Sequence, residues 1–164
     1  MTSPSQIAEI AGPKALGFTG TQHRNQVAQL DTLYGVLIGF REAGSVWMHN
    51  GDCINSDEKA GDFWRTMGGL IHLHPPDIDA KRAFLRYEEC SPPKCYLNRN
   101  RDIVNACDVL IATPFEFEEQ ARGGTWSTVR YARLTGTPIM FIWPDGRHTI
   151  EHSAHMEASD NDRG

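Results

Sequence analysis

No run of apolar residues in this 164-residue chain is long enough to span a bilayer; the longest, near 36–40 and 139–143, are of core size. A basic stripe is also missing. Sixteen lysines and arginines stand against twenty-one acids, for a net charge of −5 with both signs spread along the chain. That balance disfavours duplex nucleic acid as a partner. The first residues, "MTSPSQIAEIAGPK", lack a basic segment followed by a long apolar core. No secretory leader is expected, and a soluble cytoplasmic protein is. There is no internal repeat, no Gly-Lys-Ser/Thr of a Walker loop and no GxGxxG fingerprint. Cysteines number four: Cys53, Cys90, Cys95 and Cys107. Nothing suggests export, so free thiols are expected rather than disulfides. Cys90 and Cys95, which bracket "SPPK", could join His72 and His74 in a zinc site, but the spacings match no standard pattern and no metal is assigned. His72 and His74 otherwise share one face of a short strand.

What the chain does contain is alternation. Residues 15–19 read as a short buried strand. From 25 to 43 the residues Val27, Leu30, Leu33, Val36, Leu37 and Phe40 recur at helical steps, and Gly44 suits the cap. Residues 45–49 form a second strand. Ser56 or Asp57 can cap a helix reaching Met67, and 70–74 form a third strand. A proline-rich excursion follows. Then come a helix over 98–107, a strand over 109–113, a helix over 125–134 and a strand over 139–143. This order predicts an α/β fold in three layers, with a mostly parallel sheet of five or more strands between helices. Residues 1–14 read as a lead-in, 15–146 as the domain, and 147–164 as a polar tail.

Ligands of such sheets sit beyond the carboxyl ends of the strands. Three of those ends carry glycine turns: "TGTQHR", "HNGDCINSD" and "RGGTWST". Each lets backbone approach a ligand, and each leads into a helix whose free amides attract anions. Together they suit a phosphate or nucleotide.

The blocks "GFTGTQH", "HNGDCINSD", "HLHPP", "LNRNRDIVNACDVLIATP" and "RGGTWSTVRYARLTGTPIMFIWPDG" resemble the SLOG superfamily of Rossmann-like nucleotide-binding proteins over residues 15–146. The resemblance is to small stand-alone bacterial and phage members. More distant ones are DprA, the Lonely-guy phosphoribohydrolases and molybdenum-cofactor carriers. It implies a pocket for a nucleotide or nucleotide-derived ligand, such as one related to NAD or ADP-ribose, held for sensing or sequestration without a required cofactor. It also implies a dimer or higher assembly. Thr19, Gly20, Thr21, Gln22 and His23 would close one side, and Arg122, Gly123, Gly124, Thr125, Trp126 and Ser127 the other. Gly51, Asp52, Arg99, Arg101 and Pro114 complete the candidate set. Trp126 can stack on a base or fill the core. Arg99 and Arg101 can pair with phosphate, or with Asp102 or Glu118. Arg130 can read the ligand or brace a partner subunit. His23 can touch the ligand or face solvent.

Relatives that cut or exchange N-glycosidic bonds carry glutamates after the glycine turn. Laid on this chain, those positions hold Thr128, Val129 and Arg130, and no carboxylate occurs from Thr125 to Thr137. An oxocarbenium-like transition state needs a nearby negative charge. For a hydrolase or transferase the remaining candidates are Asp52 and Asp57 in the second turn, with Asp52 preferred, and the loop glutamates Glu116, Glu118 and Glu119. Single-stranded DNA binding of the DprA kind would need a local patch such as Lys81, Arg82 and Arg86.

Overall fold

Leu16–Gly20 forms β1, with four of its five residues buried, as a central strand covered on both faces must be. The computed structural model describes residues 15–152; the predicted lead-in and most of the predicted tail lie outside them. β1 feeds α1 (Val27–Glu42), which buries Leu33, Val36, Leu37 and Phe40 at the predicted helical steps. β2 (Trp47–Asn50), α2 (Ser56–Thr66) and β3 (Leu70–Leu73) follow. The proline-rich excursion holds a single 3-10 turn, Asp79–Lys81, and a two-residue strand, β4 (Glu89–Cys90). α3 (Tyr96–Ala106), β5 (Val109–Thr113), α4 (Gly124–Thr135), β6 (Ile139–Ile142) and β7 (His148–Glu151) complete the order.

The sheet has seven strands in the order β4-β3-β2-β1-β5-β6-β7. All neighbours run parallel except β6 and β7, which are antiparallel. The predicted α/β fold with a mostly parallel sheet is thus the observed one. Two strands were not foreseen. β4 lies within the excursion. β7 begins where the polar tail was placed, so the fold continues past Gly146. None of its four residues is fully buried, as suits an edge strand, which needs few apolar side chains.

One core cluster joins Phe18, Leu33, Leu37, Phe40, Trp64 and Ile71 on the α1/α2 face. A second joins Ile103, Leu110, Trp126, Val129 and Phe141 beneath α3 and α4. The four cysteines are free. Among the described residues no helix is long and apolar enough to cross a membrane.

Candidate functional site

After β1 the chain winds outward through β2, β3 and β4, then crosses back to place β5 on the other side of β1. Beyond the carboxyl ends of β1 and β5 the connections therefore diverge, which opens a crevice at the point of reversal. A cleft of about 250 Å³ lies there, lined from both turns and from α3.

One wall is the turn after β1. Gly20 pairs in register with Thr113, and the Thr21 amide donates to the Thr113 carbonyl at 3.0 Å. A Cβ at Gly20 would collide with Thr113 Oγ1 and with Ser56 Cβ. Glycine here lets the first turn of α2 sit directly against the end of β1. The Thr21 hydroxyl accepts from the His23 amide at 3.0 Å, which curls the turn back on itself.

The opposite wall is the start of α4. Gly123 has φ of 108°, outside the range other residues adopt readily, and serves as the N-cap without a side-chain cap. The Ser127 amide already donates to the Gly123 carbonyl at 3.0 Å. The amides of Gly124, Thr125 and Trp126 precede the first intrahelical bond, so they are free to meet an anion at the positive end of the helix.

The floor comes from α3 and the turn after β2. Arg99, 4 % exposed, reaches across with its guanidinium. Its Nη1 donates to the carbonyls of Gly51 and of His74, the latter at 3.2 Å, and its Nε donates to Asn100 Oδ1 at 2.8 Å. Arg99 is thus spent largely on bracing strand ends, with neither of the predicted acidic partners: Asp102 pairs with Lys94 at 2.6 Å. Asp57 lies beside it. Ser56 and Asp57 were expected as caps, yet Asn55 holds the cap position without a capping bond, its side-chain amide donating instead to the Gln22 carbonyl. Asp57 instead accepts the Cys53 amide at 3.2 Å. Burial pushes its carboxyl up to about 6, against the opposing pull of the Arg99 charge. Burial likewise pushes the Cys53 thiol up to about 11.

Of the sequence candidates, Thr19, Gly20, Thr21, Gln22, His23, Gly51, Arg99, Arg122, Gly123, Gly124, Thr125 and Trp126 all line the cleft. Asp52, Glu119, Arg101, Pro114 and Ser127 do not. Asp52 is wholly buried, with one carboxylate oxygen 2.8 Å from Arg82 Nε and the other accepting the Leu85 amide at 2.9 Å. It fastens the excursion to the end of β2. Glu119 pairs with Arg130 at 3.4 Å and Arg133 at 3.1 Å. Arg130 also donates to the carbonyls of Gln120 and Ala121, so it holds the acidic loop. Arg101 lies over the Tyr131 ring at 5.3 Å, and the Pro114 carbonyl accepts from Gln29 at 3.0 Å. Trp126 is 3 % exposed and packs in the second core cluster, so it is core filler rather than a free stacking face.

Sequence reading missed Asn100, Tyr96 and Phe115 as cleft residues, while Glu116, one of the loop glutamates, does line it. Asn100 follows Arg99 directly and was overlooked beside it; Tyr96 starts a helix that was placed two residues late. Phe115, 49 % exposed, lies 4.8 Å from the His23 ring between centroids. It offers the flat face that Trp126 does not. Glu116 accepts the Trp126 indole N–H at 2.9 Å.

The zinc arrangement of Cys90 and Cys95 with His72 and His74 is not assembled. Cys90 is in register with Leu73, one position off the His72/His74 face. The shared strand face of His72 and His74 is as expected.

No protein-family model matches the chain, and no curated protein sequence matches it. Solved structures do. The molybdenum cofactor binding protein of the phototrophic bacterium Rippkaea orientalis aligns with a TM-score of 0.62 and 18% identity, over 80% of this chain and 77% of that one. DNA processing protein A of Helicobacter pylori, solved for its single-stranded DNA binding mode, aligns at 0.57 and 15% identity, over 96% and 75%. A structural-genomics target aligns at 0.56 and 18%, over 77% and 72%. At these identities the likeness is one of fold. The chain has the Rossmann-like α/β fold of this cofactor-binding protein and of DNA processing protein A, in agreement with its resemblance to the SLOG superfamily.

Proposed function

We propose that the chain binds a small nucleotide or nucleotide-derived ligand in the cleft, as a sensor or sequestering protein. The observation that carries this is the convergence of the β1 turn and the free amides of α4 on one crevice at the reversal of strand order. A phosphate sits against Gly124, Thr125 and Arg122. The base lies toward Phe115 and His23. The cleft, about 250 Å³, is slightly smaller than the ~300–1,000 Å³ usual for small-ligand sites. It therefore encloses the phosphate end and leaves part of a larger ligand in solvent. An assembly of copies through helix faces is part of this reading.

A second reading, cleavage of an N-glycosidic bond, draws on two carboxyls that do line the cleft, Asp57 and Glu116, in place of Asp52 and Glu119. Single-stranded DNA binding has less behind it: Lys81 is engaged with Gln22, and Arg82 with Asp52 and Asp79.

A thermal-shift panel of mononucleotides, NAD, ADP-ribose, cyclic and deoxynucleotides tests the first reading, with chromatography of each incubated hit. The expected result is a shift that Gly124→Asp abolishes, with the ligand recovered intact. Released base, lost in Asp57→Asn, would move the assignment to catalysis. No shift with any ligand would overturn the pocket.

A further inference from the structure

We propose that His49, His72 and His74 form a binding site for one divalent transition-metal ion of the zinc class. Parallel pairing of β2 and β3 puts His49 in register with His72, and His74 follows two residues later, so the three side chains emerge on one face. One nitrogen from each ring can be chosen such that all three lie within 4.8 Å of one another. His72 and His74 stack at 4.5 Å between centroids with an 11° tilt, and the His49 ring lies 5.0 and 5.1 Å from them, tilted by 33° and 42°.

Three features point to a ligand rather than to packing. First, His49 Nδ1 and His74 Nε2 are 2.8 Å apart and share a single proton. Two imidazole nitrogens on one zinc ion, each ~2.0–2.1 Å from it, are about 3.3 Å apart in tetrahedral geometry. A small opening of this pair lets an ion replace the proton. Second, His74 is 5 % exposed and its Nδ1 is buried with no hydrogen-bond partner. An ion on Nε2 does not reach this atom, but with Nδ1 unpartnered no second hydrogen bond anchors the ring against the small shift that ion binding needs. Third, His72 Nδ1 lies 3.1 Å from Glu89 Oε2. A carboxylate behind a ligating imidazole fixes its orientation and raises its basicity. The other ring nitrogen, Nε2, now meets Ser91 Oγ at 2.8 Å, a hydroxyl that can rotate aside.

Neutral nitrogen donors without a carboxylate among them select zinc, nickel, cobalt or copper over magnesium or calcium. His49 and His72 are half-buried, so a fourth position stays open to water. The site stands apart from the cleft, which none of the three histidines lines, and does not rest on the nucleotide reading.

The test uses the full chain stripped with a chelator. Zn²⁺ is titrated in competition with a chromophoric chelator, and Co²⁺ serves as a spectroscopic probe. One zinc per chain, bound at micromolar strength or tighter, is expected, with the intense visible bands of four-coordinate Co²⁺. The pair His49→Gln and His72→Gln should weaken binding at least about 100-fold, and Glu89→Gln about 10-fold. His148→Gln should leave it unchanged. No saturable zinc or cobalt binding by the unaltered chain would overturn the proposal without recourse to any variant. So would equal affinity in a His49→Gln/His72→Gln protein whose circular dichroism is native.

Discussion

The indole N–H of Trp126 donates to the carboxylate of Glu116 over 2.9 Å, tying the first turn of α4 to the loop that leaves β5. The bond spans the side of the cleft where the free amides lie. It keeps a carboxylate engaged with a neutral donor beside the anion-attracting helix end. Trp126→Phe keeps the ring in the core but removes the donor. A loss of about 1 kcal/mol in stability is expected from the missing bond, against about 3–5 kcal/mol for Trp126→Ala, which also empties the core. Urea denaturation of both variants checks the order.

Gly20 and Gly124 make a matched pair of tests. A Cβ at Gly20 collides with Thr113 and with Ser56 Cβ and lies 2.8 Å from Ser56 Oγ, whereas at Gly124 the nearest atom is Asn100 Nδ2 at 3.8 Å. Gly20→Ala should therefore cost about 1–3 kcal/mol through overpacking. Gly124→Ala should leave the melting temperature unchanged or slightly raised, since alanine is the better helix residue. Equal effects of the two substitutions would contradict the packing described.

Asp52 is expected to matter for folding and not for the ligand. Asp52→Ala leaves the Arg82 guanidinium without its main partner and frees the Leu85 amide. A loss near the lower end of the ~3–5 kcal/mol typical of broken buried pairs should follow. Nucleotide-induced thermal shifts measured well below the lowered melting point should be retained. Loss of ligand response with native stability would restore Asp52 to the site.

Asp57 should leave a mark on the pH dependence of stability. Its folded carboxyl titrates at about 6 rather than the ordinary 3.8 because it is buried, with Arg99, Asp52 and the Cys53 amide as neighbours. Between those values the native state holds a proton that the unfolded chain has released. Stability from this group is therefore fully present below pH 4 and declines as pH rises through 6. The gap corresponds to on the order of 3 kcal/mol. Asp57→Asn should flatten that decline, so denaturation midpoints of variant and parent should diverge in the variant's favour from pH 4 to pH 7. Parallel profiles would show that Asp57 titrates normally.

Much of this fold was legible because its signals are local. The recurrence of Leu33, Val36, Leu37 and Phe40 announces α1, and apolar runs such as 109–113 announce buried strands. The glycine turns pointed to the sheet edge where the cleft lies for the same reason: only backbone geometry was needed. Asp52 shows where such reading stops. A carboxylate next to a glycine at a strand end looks alike whether it meets a ligand or an arginine 30 residues on, and only the path of the excursion decides. Trp126 had two open readings because burial of an aromatic at a helix start depends on what packs opposite, here Phe141 and Trp143. β7 was missed because a short, half-buried antiparallel edge strand does not need a run of apolar residues; Ile150 is its one apolar side chain. The histidine trio was half visible: His72 and His74 share a strand, but His49 joins them only through the register of β2 on β3.

The two margins of the sheet differ in what they offer to another chain. At one, β4 is only two residues long, both exposed, so an intruding strand would find little free backbone to pair with. At the other, β7 ends in Glu151, held by Arg133 at 2.8 Å, which sets a charged pair at the strand's end. Short and charged borders of this kind resist edge-to-edge polymerisation. Neither border of the described sheet thus presents a long, uncharged run of free backbone for a strand of another chain to extend.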